Sequence, residues 1–77
     1  MIVVDTNIIA YLFLEGEFSS YAEKLLLKDA QWSAPILWRS EFRNVLAHYI
    51  RKEILSLEQS QEIILEAMNL LQGREYE

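Results

Sequence analysis

Val3-Val4-Asp5-Thr6-Asn7-Ile8-Ile9 is the stretch on which the fold turns. Met1 to Val4 is a short apolar run rich in β-branched side chains, a composition that favours a buried strand. Asp5-Thr6-Asn7 then supplies three residue types whose side chains accept hydrogen bonds from the free amides of a helix start. A strand is therefore predicted to pass directly into a helix. Ile8 to Leu14 is apolar almost throughout, so periodicity alone does not separate a buried helix from a second strand. The cap cluster before it and Glu15-Gly16-Glu17 after it, with a glycine where a helix would stop, decide for helix.

Working outward, Ser20 and Glu23 have capping-box spacing, and Tyr21 and Leu25 begin an apolar face that predicts a second helix to about Lys28. Gln31 to Ala34, containing Trp32, is predicted as a short strand that Pro35 brings to an end. Trp38, Phe42, Val45, Leu46 and Tyr49 follow the three-and-four spacing of an amphipathic helix running to about Lys52. Ser56 with Gln59 repeats the capping box, and Leu57, Ile64, Ala67, Leu70 and Leu71 carry a last helix to Gly73. The order strand, helix, helix, strand, helix, helix implies an α/β fold with a parallel sheet and right-handed crossovers. Two strands are few for a parallel sheet, so further strands are expected after Glu77 or from another chain. Repeats, low-complexity tracts and linker-like segments are absent from the sequence, which reads as one domain, 1–77, or part of one.

With 77 residues there is room for one core. At 52% hydrophobic and 25% charged residues the chain has enough apolar surface to fold rather than stay disordered. It has no cysteine, which excludes disulfides, thiolate nucleophiles and zinc-thiolate sites and suits a cytoplasmic location. No apolar run approaches the ~18 residues of a membrane span, and no membrane association is expected. The net charge of -5 disfavours nonspecific binding to nucleic acid, although Arg39, Arg43, Arg51 and Lys52 give the long helix a local basic character. Tyr11, Phe13, Phe18 and Tyr21 are more aromatic surface than a small core readily hides, which suggests an interface with a second subunit or another protein.

Asp5 falls at the C-terminal end of the first strand, where open α/β sheets usually bind ligands. Its plainer reading is that it, Thr6 or Asn7 caps the helix. Glu41 falls in the first turn of the long helix, where the dipole alone favours a carboxylate. Asn44 and Val45 lie three and four residues on, beside it and on the edge of the core-facing stripe. A carboxylate on such an edge needs hydrogen bonds or a cation, and a metal would satisfy it. Carboxylates from separate elements, with water completing the shell, are how Mg²⁺ and Mn²⁺ are often held, and such ions support phosphodiester hydrolysis. His48, near the apolar stripe, reads as an ordinary packed or half-exposed side chain.

Together, Val3-Val4-Asp5-Thr6-Asn7-Ile8-Ile9 and Ser40-Glu41-Phe42-Arg43-Asn44-Val45-Leu46 resemble, in order and spacing, the first two motifs of PIN domains. The resemblance covers essentially the whole chain. It implies the N-terminal part of a three-layer α/β/α fold, a ribonuclease using Mg²⁺ or Mn²⁺, and Asp5 and Glu41 as catalytic, metal-binding acids. Thr6 or Asn7 would order the first site and Asn44 would support Glu41. The style is that of the toxins of toxin-antitoxin pairs, which implies an RNA substrate and an antitoxin partner, while a two-strand sheet with an exposed edge and uncovered apolar helices favours a homodimer. PIN domains place further acids downstream, whereas after Leu71 this sequence offers only Glu75 and Glu77, neither matching. The 77 residues by themselves are thus expected to hold metal weakly and not to cleave RNA. The alternative is a non-catalytic interaction module, a degenerate relative that dimerises or binds an antitoxin. A haloacid dehalogenase phosphatase would need an aspartate at Asn7, and a receiver domain would need an acidic pair before Asp5.

Overall fold

A computed structural model describes residues 1–14 and 16–77. Its elements are β1 (Ile2–Val3), α1 (Thr6–Phe13), α2 (Ser19–Lys28), β2 (Trp32–Pro35), α3 (Trp38–Arg51), α4 (Leu57–Leu70) and β3 (Glu75–Tyr76). The α/β order and the parallel sheet agree with expectation. The number of strands does not: Glu75–Tyr76 adds a third, giving the order β1-β2-β3 with both pairings parallel. A two-residue strand with a charged member has no readable pattern of its own, and it exists through its pairing with β2.

Pro35 was expected to end pairing, and it does so on one side only. Ala34 N donates to Arg74 O at 3.2 Å and Ile36 N to Tyr76 O at 2.6 Å, so the ladder to β3 passes over the proline. Successive amides of a strand face opposite edges, so the missing donor of Pro35 falls on the edge facing β1. There the register stops at Val3 opposite Ser33.

The second helix starts differently from the capping box expected at Ser20 and Glu23. Its N-cap is Phe18, with no side-chain cap bond. Ser19 instead closes the preceding turn, its Oγ accepting from Gly16 N at 2.9 Å and donating to Leu14 O at 3.1 Å. Of the stop expected at Glu15-Gly16-Glu17, Glu15 lies outside the described residues, and α1 already ends at Phe13 with Leu14 as its C-cap. The box at α4 is formed as read: Gln59 N donates to Ser56 Oγ at 3.1 Å and Ser56 N to Gln59 Oε1 at 2.8 Å. Ser56→Ala is expected to cost about 1 kcal/mol of stability, read from urea denaturation, because the Gln59 amide loses its acceptor.

The core gathers Ile9, Trp32, Trp38, Phe42 and Leu71, all essentially inaccessible to water, around Ala22, Ala34 and Ala67. The long helix contributes Trp38, Phe42 and Leu46 as buried positions, while Val45 and Tyr49 are only partly covered. Leu57, read as part of the α4 apolar face, is exposed. The aromatic surplus divides: Phe13 packs on Phe42 with ring centroids 6.4 Å apart, Tyr11 on Phe18 at 5.0 Å, and Phe18 and Tyr21 remain exposed.

Two connections set the far end of the sheet. Gly73 takes φ +79, a left-handed conformation that suits glycine at the end of α4. Arg74 then donates Nε–H to Trp32 O at 2.8 Å, while Ser33 Oγ donates to Arg74 O at 2.7 Å, which binds the approach to β3 onto β2. At the other edge the terminal ammonium of Met1 meets Asp29 Oδ2 at 2.7 Å. Its hydrogen bond, together with that from Gln31 N, holds the Asp29 carboxyl below the ordinary value. Among the described residues no helix is long and apolar enough to cross a membrane.

Candidate active site

β1 delivers Asp5 to the C-terminal end of the sheet, and the side chain acts at once as the N-cap of α1, Oδ1 accepting from Ile8 N at 3.0 Å. The capping reading of Asp5 is therefore correct, and it engages one carboxylate oxygen. Thr6, the first residue of α1, donates its hydroxyl to Glu41 Oε1 at 2.9 Å. Glu41 stands in the first turn of α3. Residues 35 positions apart in sequence thus meet through one hydroxyl, which brings Glu41 to the residue next to Asp5.

Both carboxylates are exposed, so Glu41 does not lie along the core-facing edge that its spacing suggested. Asn44 is also exposed, and among the described residues no hydrogen bond joins it to Glu41; the contact comes from Thr6. Asn7 is exposed at the second position of α1. A cavity of about 450 Å³ runs along β1 past Asp5, between Tyr21 and Pro35.

The charge balance here is one-sided. Among the described residues the ion pairs are Met1 with Asp29 and Arg39 with Glu75, so neither Asp5 nor Glu41 is neutralised by a protein cation. Neither Asp5 Oδ2 nor Glu41 Oε2 has a hydrogen-bond donor among them. Two accessible oxygen ligands of this hardness suit Mg²⁺ or Mn²⁺ with water in the remaining positions. Among the described residues no three acidic, histidine or cysteine side chains cluster as a complete metal centre, so this pair is at most part of a ligand set.

Other residues singled out in the sequence lie apart. His48 is exposed near the end of α3, edge-on to Tyr49 at 6.5 Å. Arg39, one of the basic residues of α3, is paired with Glu75. Glu75 had been set aside, yet it accepts three hydrogen bonds at the start of α3. No sequence signal marks it, since its partners lie 36 and 37 positions away.

The PIN domain family model matches residues 2–75, nearly the whole chain. The chain belongs to the PIN domain family. No curated protein and no solved structure matches it. Membership places this PIN domain in a nuclease-like superfamily whose members generally bind divalent metal.

Proposed function

We propose that this PIN domain is a metal-dependent ribonuclease in which Asp5 and Glu41 are catalytic acids that hold Mg²⁺ or Mn²⁺. The observation that carries the proposal is the Thr6–Glu41 hydrogen bond, which brings the α3 acid to the residue that follows Asp5. When bound, such an ion activates a water and neutralises charge growing on the phosphate oxygens. Thr6 engages Glu41 Oε1 and fixes its rotamer, while the cap bond does the same for Asp5 through Oδ1, so each acid keeps one oxygen for a ligand. Asn7 and Asn44 are exposed near these acids in sequence and are proposed as supporting polar groups, with Thr6 making the observed contact. Arg43, Arg51 and Lys52 are exposed on the helix that carries Glu41 and supply cations for an RNA backbone, offsetting the acidic net charge.

Mn²⁺ titration of the ¹⁵N-labelled chain tests the site directly. Paramagnetic broadening is expected first at Thr6 and Glu41 and is expected to disappear in Asp5→Asn. Two carboxylates should make the binding weak, so the titration must extend into the millimolar range. Uniform broadening over all the acidic residues, or none at Thr6, would exclude Asp5 and Glu41 as the metal ligands.

The same reading extends to a toxin held by an antitoxin, and to self-association as a homodimer. Its support is the exposed Phe18 and the groove beside it formed by Ala10, Tyr11, Leu14 and Tyr49. A second reading, a non-catalytic interaction module, draws on that same apolar surface and on the lack of a complete acidic cluster among the described residues. Mn²⁺ binding that requires both Asp5 and Glu41 favours the first reading, and its absence favours the second.

A further inference from the structure

We propose that Glu75 is a positioning residue for Glu41, acting through Trp38 and Arg39. Helices normally start on a side chain that satisfies their first amides. The helix that carries Glu41 lacks one: its N-cap is Leu37, without a side-chain cap bond. The Glu75 carboxylate instead holds the side chains of the first two residues. Glu75 Oε1 accepts from Trp38 Nε1 at 2.9 Å and from Arg39 Nε at 3.0 Å, while Oε2 accepts from Arg39 Nη2 at 2.7 Å. The side chain of Glu75 is 12% exposed, so little water competes for these bonds. A forked, charge-assisted contact of this kind fixes orientation as well as distance.

The grip is coupled to Glu41 by helix geometry. Glu41 lies three residues beyond Trp38, on the adjoining turn, and its amide donates to Leu37 O at 3.2 Å. Trp38 is 1% exposed and rests on Phe42, ring centroids 5.9 Å apart, so the held indole cannot turn without moving the residue after Glu41. β3 also holds the turn before the helix, through Ile36 N to Tyr76 O at 2.6 Å. The first turn of α3 is therefore clamped from β3 on one side and met by Thr6 on the other. Release of the first contact lets the turn fray and carries Glu41 away from the second.

The metal arm of this inference rests on the ribonuclease reading; the Thr6 arm does not. In the 77-residue chain, Glu75→Ala and Arg39→Met are compared with Ser56→Ala, which weakens the fold at α4, away from the site. The Thr6 methyl resonance is read in each, with Glu41→Ala marking the position it takes once the contact is gone. Glu75→Ala and Arg39→Met are expected to move that resonance towards the Glu41→Ala position, and Ser56→Ala to leave it in place. Amide exchange at Glu41 should quicken, and Mn²⁺ affinity should fall by roughly tenfold, as when groups behind a metal ligand are removed. Glu75→Gln, which keeps an acceptor for Trp38, should restore part of each. If Glu75→Ala does not fold, Arg39→Met and Glu75→Gln carry the comparison. A Thr6 methyl unmoved in these variants would overturn the inference and leave Glu75 a purely structural residue. Wild-type chain that binds no Mn²⁺ at Asp5 and Glu41 would overturn the metal reading above while the Thr6 resonance still decides the positioning role.

Discussion

Phe42→Ala is expected to destabilise the chain by about 3–5 kcal/mol, the largest effect of any single change discussed. The ring is fully buried and touches Phe13 from α1 and Trp38 from its own helix, so its removal opens a cavity where three large side chains meet. A fold of this length has a total stability of roughly 4–12 kcal/mol by the usual range per residue. The loss is therefore a large share of what holds the domain together. Leu27→Ala, at a position 87% exposed, should change stability by less than about 0.5 kcal/mol. Urea denaturation followed by tryptophan fluorescence measures both, since Trp32 and Trp38 are buried in the same core. Equal costs for the two variants would mean that the core does not centre on Phe42.

The second large effect concerns the proposed reaction. Asp5→Asn and Glu41→Gln should each lower metal-dependent RNA cleavage, in a protein that displays it, on the order of a hundredfold or more, by removing a ligand charge. The choice of amides matters. Asparagine caps a helix about as well as aspartate, so the acceptor for Ile8 N survives while the charge is lost. Glutamine likewise keeps an oxygen for the Thr6 hydroxyl. Stability should therefore change little, and loss of cleavage would report the carboxylates themselves. Cleavage at the wild-type rate in both variants, or undiminished by chelator, would remove the metal mechanism and leave the interaction-module reading.

Much of this protein was legible in residue order. Apolar β-branched residues followed by Asp5-Thr6-Asn7 announce a strand that ends in a capped helix, because caps and strand propensity act over a few neighbouring residues. The stripe through Trp38, Phe42 and Leu46 announces the long helix for the same reason: its period depends only on helix geometry. Ser56 with Gln59 is a local device too, and it forms as read. The two motifs that resemble PIN domains belong to these local elements, which is why residue order alone carries the family, whose model matches residues 2–75.

What the sequence left open are contacts between distant segments. Glu75–Tyr76 becomes a strand only because β2 offers unpaired groups beside it, and Pro35 is tolerated there only because its missing donor faces the other edge. Thr6 rather than Asn44 meets Glu41, and Arg39 is drawn from solvent to Glu75. Each of these depends on how elements far apart in the chain are brought together by the burial of Trp32, Trp38 and Phe42. Spacing along one helix carries no record of that packing, so local order determined the elements and the candidate acids, and the tertiary structure alone decided which partners hold them.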